Sequence, residues 1–258
     1  MNHRKIKLIN FFASIAGALL SRSGHANKSL NRRISPEILD DEFSRILTQL
    51  AARSDIKTII EIGSSSGDGS TKAIVEGINR KAIAGASLFC MEISEPRFEA
   101  LSSHYRDSKF VKVYRQSSVN LSEFPSSLEV SQFYLTKNTN LNKYRLFRVL
   151  QWLYEDKNYL RQNQTLLSEK HFGINGIQKI KQDNGIVDFD LALIDGSEFT
   201  GYAELTYLRN SKIIAIDDVN SFKGWACFHE LQSDARYQLI SDNWNVRNGF
   251  SVFERIDK

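Results

Sequence analysis

Three short stretches of this chain hold side chains whose type and spacing could do chemistry. The first is Glu61-Ile62-Gly63-Ser64-Ser65-Ser66-Gly67-Asp68-Gly69-Ser70, a run of small residues behind an acid. Gly63 allows a tight turn, and Gly67 and Gly69 let backbone approach a ligand closely. Lys72 stands where a dinucleotide fingerprint needs its third glycine, and no Gly-Lys-Ser/Thr occurs. The loop therefore lacks the marks of a pyrophosphate cradle. An acid at its mouth would repel phosphate and suits a ligand with a cationic or amino group. The second is Glu92, about 23 residues beyond Gly69, where a carboxylate can accept from both hydroxyls of a ribose. Together they suggest a nucleoside without phosphates.

The third pairs Leu193-Ile194-Asp195-Gly196-Ser197-Glu198 with Ile214-Ala215-Ile216-Asp217-Asp218-Val219-Asn220. If these apolar runs are neighbouring parallel strands, Asp195, Asp217 and Asp218 meet at one carboxyl edge. Hard oxygen ligands placed so suit Mg²⁺ or Ca²⁺, and without a cation one acid would have to take up a proton. The same aspartates could instead cap the helices that follow, and both readings stay open. His229, within Trp225-Ala226-Cys227-Phe228-His229-Glu230, is either a base or a structural ring on a helix. His104 and His171 have no motif around them. Cys90 and Cys227 have neither disulfide-scaffold numbers nor zinc spacing, so they read as core residues of a protein in a reducing, cytoplasmic compartment.

These groups need a scaffold, and the hydrophobic pattern supplies one. Residues 55–61, 86–93, 110–115, 189–194 and 212–216 read as buried strands, with helices predicted from Ser70 to Ile78 and after Pro96. Pro36, Pro96 and Pro125 each sit where a helix could start. Apolar strands alternating with helices predict an α/β fold, a doubly wound, mostly parallel Rossmann-like sheet covered on both faces. The segments 237–240 and 249–255, joined by the polar turn Ser241-Asp242-Asn243, predict an antiparallel C-terminal strand pair. About 70 residues, 118–187, separate strands three and four and must carry their own structure. Leu146, Val149, Leu150 and Leu153 form a helical stripe there, ringed by Tyr144, Phe147, Trp152 and Tyr154. This helical insertion either closes a small core of its own or roofs the ligand crevice as a lid, and both can hold.

Charge divides the chain. Residues 1–35 hold seven Lys/Arg and no Asp/Glu, leaving 27 basic and 30 acidic side chains in the rest of a 258-residue protein of net charge +4. The body is not a basic surface, which counts against nucleic acid as a partner. We divide the chain at about residue 50 into a basic N-terminal segment with a lead-in helix (1–50) and the main domain (51–258). Within residues 4–22, Ile6, Ile9, Phe12, Ile15 and Leu19 recur at helical spacing. A helix docked on the body, a peripheral helix on an anionic membrane and a signal peptide are the three readings. No apolar run approaches the roughly 20 residues that span a bilayer.

With these residues in place, the chain over about 55–255 resembles the class I S-adenosylmethionine-dependent methyltransferases. Their acid-x-Gly-x-Gly-x-Gly pattern appears as Glu61-x-Gly63-x-Ser65-x-Gly67, with serine in the middle, a variant similar to small-molecule O-methyltransferases. The resemblance implies that Glu61, Gly63, Ser65, Gly67, Gly69 and Ser70 hold the methionine part of the donor, Glu92 the ribose, and Gln116 and Ser117 the adenine edge. It is similar to the metal-dependent members in placing Asp195, Asp217 and Asp218 at the ligand positions for a divalent ion, Mg²⁺, that lowers the acceptor oxygen's pKa. Glu198 departs from the catechol-type pattern, standing where those enzymes carry a lysine base, and is a catalytic candidate with Asp195 and His229. Sugar-modifying members carry a histidine base in roughly the region of His229. The expected function is methyl transfer to an oxygen of a small molecule or glycan. The rival is a binding or scaffold protein that kept the fold and lost the chemistry. An iron oxygenase on this fold would need a His/carboxylate site, and no histidine falls at the ends of strands four or five.

Overall fold

The computed structural model describes residues 34–80, 85–163 and 174–256. The basic segment 4–22 with its three readings, and His171, lie outside these residues. Five strands alternate with helices: β1 (Thr58–Ile62), β2 (Ser87–Met91), β3 (Val111–Tyr114), β4 (Leu191–Ile194) and β5 (Ile213–Asp217). With β6 (Tyr237–Asn243) and β7 (Phe250–Arg255) they form one seven-stranded sheet in the order β3-β2-β1-β4-β5-β7-β6. All pairings among β1 to β5 are parallel, while β7 runs antiparallel to both β5 and β6. This is the mostly parallel, doubly wound α/β fold with an antiparallel C-terminal pair.

Alternation along each strand splits the core into two layers. Ile59, Leu88, Cys90, Leu191, Leu193, Ile213 and Ala215 face one side, where α1 (Glu42–Ala51) contributes Phe43 and Leu47 and α2 (Ser70–Arg80) contributes Ile74. Leu101 of α3 (Glu95–His104) completes this layer. Ile60, Phe89, Ala192, Ile194, Ile214 and Ile216 face the other side. There they meet Ile177 and Ile180 of α6 (Gly176–Asn184), Leu205 and Leu208 of α7 (Gly201–Leu208), and Cys227 and Leu231 of α8 (Phe222–Ser233). β1, β2, β4 and β5 are buried almost end to end and read as largely apolar runs for this reason, while β3 at the sheet edge exposes Lys112.

The remaining helices, α4 (Ser127–Thr136) and α5 (Leu146–Gln162), close a third core of their own with Val119, Phe124, Val130, Leu141, Val149, Leu150, Leu153 and Leu160. Phe199, just after β4, packs into it and ties it to the sheet edge.

Two expectations change. Pro36 starts no helix; α1 begins six residues later, where Asp41 accepts a hydrogen bond from the Ser44 N–H at 2.8 Å as its cap. Ser241, Asp242 and Asn243 are not a turn but the end of β6, which continues past an irregularity between Leu239 and Ser241. A half-exposed edge strand tolerates polar residues on its outer face, so composition alone read them as a turn. No helix among the described residues is long and apolar enough to cross a membrane.

Candidate functional site

The loop after β1 is held from below. Glu61 lies on the α1/α2 face of β1 by its place in the alternation and is completely buried. Its carboxylate accepts from the Ser70 hydroxyl at 2.6 Å and from the Thr71 hydroxyl at 2.6 Å, both at the start of α2. The N–H groups of Gly63 and Ser64 both donate to the Met91 carbonyl, each at 3.0 Å, locking the loop to β2. Gly63 has φ +87°, and a Cβ there would lie 2.1 Å from the Asp195 carbonyl oxygen. Only glycine lets the ends of β1 and β4 approach this closely.

Above the loop lies a cleft of about 270 Å³. Gly63, Ser65, Gly69 and Ser70 line it from β1 and α2, Glu92 from the end of β2, and Gln116 and Ser117 from the end of β3. Glu61 and Gly67 do not line it. Glu61 is the loop's buried support, and Gly67 packs against Leu101 and Tyr105, whose hydroxyl donates to the Gly67 carbonyl at 2.8 Å. Glu92 is buried, and its carboxylate accepts from the Ser94 N–H at 2.7 Å. Burial raises the Glu92 pKa from its ordinary value, against the pull of backbone N–H groups and Arg97. Ser65 takes the left-handed conformation (φ 49°) where the resembled pattern has glycine. Its hydroxyl oxygen is buried and has no protein partner among the described residues.

The far wall is acidic. β4 and β5 pair Ile194 with Ile216, so Asp195 and Asp217 follow at neighbouring strand ends. Asp195, Asp217 and Asp218 each bring a carboxylate oxygen within 4.8 Å of the others. Asp195 and Asp218 line the cleft, and Asp217 lies behind them, 1% exposed. Each has a cationic partner from this chain. Lys223 Nζ stands 2.7 Å from Asp195 Oδ1 and 2.7 Å from Asp218 Oδ2, while Arg247 reaches Asp217 Oδ1 at 2.6 Å. Burial alone would favour a neutral amine, but Asp195, Asp218 and Asp217 outweigh it and hold Lys223 well above the ordinary lysine range. Burial, against the attraction of Lys223, pushes Asp195 up.

As arranged, this set does not fit a divalent ion. Mg²⁺ would need carboxylate oxygens at about 2.0–2.1 Å with its own waters around it, but the ammonium already bridges Asp195 and Asp218, and Arg247 holds Asp217. The donor side does fit a nucleoside with polar ends: a backbone cradle, an unpaired serine hydroxyl and a carboxylate at the end of β2.

The other two catalytic candidates fall elsewhere. Glu198 is turned to α8, accepting from the Phe222 N–H at 2.8 Å, and does not line the cleft. It caps the helix start, where a carboxylate is favoured. His229 is exposed on α8, its ring against Trp225 at 4.6 Å and Phe228 at 5.4 Å, and it too is outside the cleft. Of the catalytic candidates only Asp195 lines it.

Several lining residues escaped the sequence reading. Ile34, Pro36, Glu37 and Ile38 wall the cleft ahead of α1, and Phe124, Asp156 and Leu160 roof it from the insertion. Asp156 accepts from the Ser197 hydroxyl, and burial pushes its carboxyl up to about 6, against that hydrogen bond. Lys223 had a legible signal: a lysine at the second position of a helix faces the unfavourable end of the dipole and calls for carboxylates nearby.

No protein-family model and no curated protein matches the chain. Solved structures do. Cofactor-bound Rv0187 from MTB is 12% identical, with 95% of this chain and 90% of that chain covered at a TM-score of 0.51. An O-methyltransferase from Bacillus cereus in complex with SAH is 14% identical over 99% of this chain and 92% of its own, with a TM-score of 0.49. The O-methyltransferase TomG from Streptomyces achromogenes in complex with SAM is 12% identical over 95% and 96%, at 0.47. The likeness to Rv0187 shows a shared fold.

Proposed function

We propose that this chain, which has the Rossmann-like methyltransferase fold, uses it to transfer a methyl group from S-adenosylmethionine to an oxygen of a small molecule or glycan. One observation carries the reading: a glycine- and serine-rich loop with an acid at the end of the next strand faces an acidic wall across one cleft. Gly63, Ser65, Gly69 and Ser70 would hold the amino-acid end of the donor, with the Ser65 hydroxyl as a ready donor. Glu92 would accept from the ribose hydroxyls, and Gln116 and Ser117 would border the base. When bound, the donor supplies a sulfonium methyl group, and the acceptor oxygen's electron pair forms the new C–O bond as the C–S pair returns to sulfur.

The chain's own part is alignment and proton removal. Phe124 and Leu160 of the insertion line the cleft with apolar surface, which supports the lid reading. Asp156 lines the cleft and would take the acceptor's proton; its raised pKa, nearer to neutral pH than an ordinary aspartate's, supports this role. Cys90 and Cys227, both free and buried, support a reducing, cytoplasmic setting.

Calorimetric titration with S-adenosylhomocysteine, beside NAD and ATP, tests the reading. Micromolar binding of S-adenosylhomocysteine alone is the expected result. Preference for a phosphorylated nucleotide, or no binding of any, would overturn it, and the second outcome would favour a scaffold.

A further inference from the structure

We propose that Lys223 is a built-in cation, its ammonium filling the place between Asp195 and Asp218 that a divalent ion would otherwise take, so that the cleft works without a bound metal. The position is fixed by geometry. Nζ lies 2.7 Å from one oxygen of each aspartate, and Asp217 behind them is matched by Arg247 at 2.6 Å. A divalent ion bridging the Asp195 and Asp218 oxygens would have to share the space of the ammonium, and two cations there repel.

The lysine stem cannot simply swing aside. Lys223 is 3% exposed, and Gly201 at the start of α7 packs so closely that a Cβ there would lie 3.0 Å from Lys223 Cγ and 2.4 Å from its carbonyl oxygen. As the second residue of α8, Lys223 projects back toward the helix N-terminus and hence toward the carboxyl edge of the sheet. The helix dipole opposes a cation there, so the aspartates are what retain it.

An ammonium has three N–H groups. Two face the aspartates, and because Lys223 lines the cleft the third would be the one to meet an acceptor oxygen there. There it would steady the negative charge that grows as the acceptor loses its proton, which a metal does in metal-dependent enzymes. This last role rests on the methyl-transfer reading; the cation's identity does not.

Manganese binding followed by electron paramagnetic resonance separates the two. Wild-type protein should leave the free Mn²⁺ signal undiminished, while Lys223→Ala should take up one Mn²⁺ per chain and lose it again on adding Asp218→Asn. Lys223→Met keeps the stem and replaces Lys223→Ala if that variant does not fold, as judged by circular dichroism. Stoichiometric uptake by the wild type would overturn the proposal. So would a folded variant that still takes up none, because no cation place would then exist for Lys223 to fill. S-adenosylhomocysteine is titrated into the same samples. If it fails to bind while the manganese results hold, the methyl-transfer reading falls and the cation assignment stands.

Discussion

The carboxylate of Glu61 and the hydroxyl of Ser70 meet at 2.6 Å beneath the ligand loop, nine residues apart in sequence and both buried. Thr71 bonds the second oxygen of the same carboxylate at 2.6 Å. Glu61 therefore acts on the cleft through the start of α2, without lining it. Glu61→Ala takes the partner from the buried Ser70 hydroxyl and leaves Thr71 only its longer bond to the Ser64 carbonyl at 3.4 Å, which should cost about 2–4 kcal/mol of stability, read by urea unfolding. S-adenosylhomocysteine affinity should fall with it. A stable variant with unchanged affinity would contradict the supporting role.

Gly63 and Gly185 both have positive φ, +87° and +64°, yet their surroundings differ. A Cβ at Gly63 would press on the Asp195 backbone, whereas nothing lies within 4 Å of one at Gly185, which ends α6 in the left-handed conformation. Gly185→Ala should cost about 1 kcal/mol. Gly63→Ala should cost clearly more, about 3 kcal/mol, because backbone must also shift. Equal losses in thermal unfolding would mean that the β1–β4 contact is not tight.

Ser65→Gly separates stability from binding. Glycine takes φ 49° without strain, so stability should hold or rise by up to about 1 kcal/mol. The buried hydroxyl that has no protein partner is lost, so S-adenosylhomocysteine should bind about three- to tenfold more weakly. Unchanged affinity would show that the hydroxyl faces no ligand.

Glu198 gives a pH signature. Burial, then the nearby Asp218 carboxylate, push its pKa up to about 7 from an ordinary 4.5. Between those values the native state holds a proton that the unfolded chain has released, so this group's contribution to stability falls as pH rises through that window. Glu198→Gln keeps an oxygen for the Phe222 N–H and removes the titration. Its stability relative to wild type should improve by about 1–2 kcal/mol between roughly pH 5 and pH 8. A difference that stays flat with pH would contradict the raised pKa.

Much of this arrangement was legible because buried parallel strands leave a simple trace. β1, β2, β4 and β5 are almost wholly buried and dominated by apolar residues, and Glu92, Asp195 and Asp217 fall at the carboxyl ends of such runs. Alternation also held the answer for Glu61: it shares the inward parity of Ile59, which directs it to α2 and away from the cleft. Contacts between distant segments were not legible. Pro36 meets Gly69, Asp156 meets Ser197 and Lys223 meets Asp195 only after α1, α5 and α8 have packed. His229 misled for the same reason: its helix was placed correctly, but its side of the helix faces solvent and not the cleft.

The most direct test of the central claim is a crystal structure of the protein soaked with S-adenosylhomocysteine. The account predicts the ribose hydroxyls against Glu92, the amino-acid end over Gly63 to Ser70 and the sulfur facing Asp195, Asp156 and Lys223. Ligand bound outside this cleft, or within it with Glu92 untouched, would contradict it.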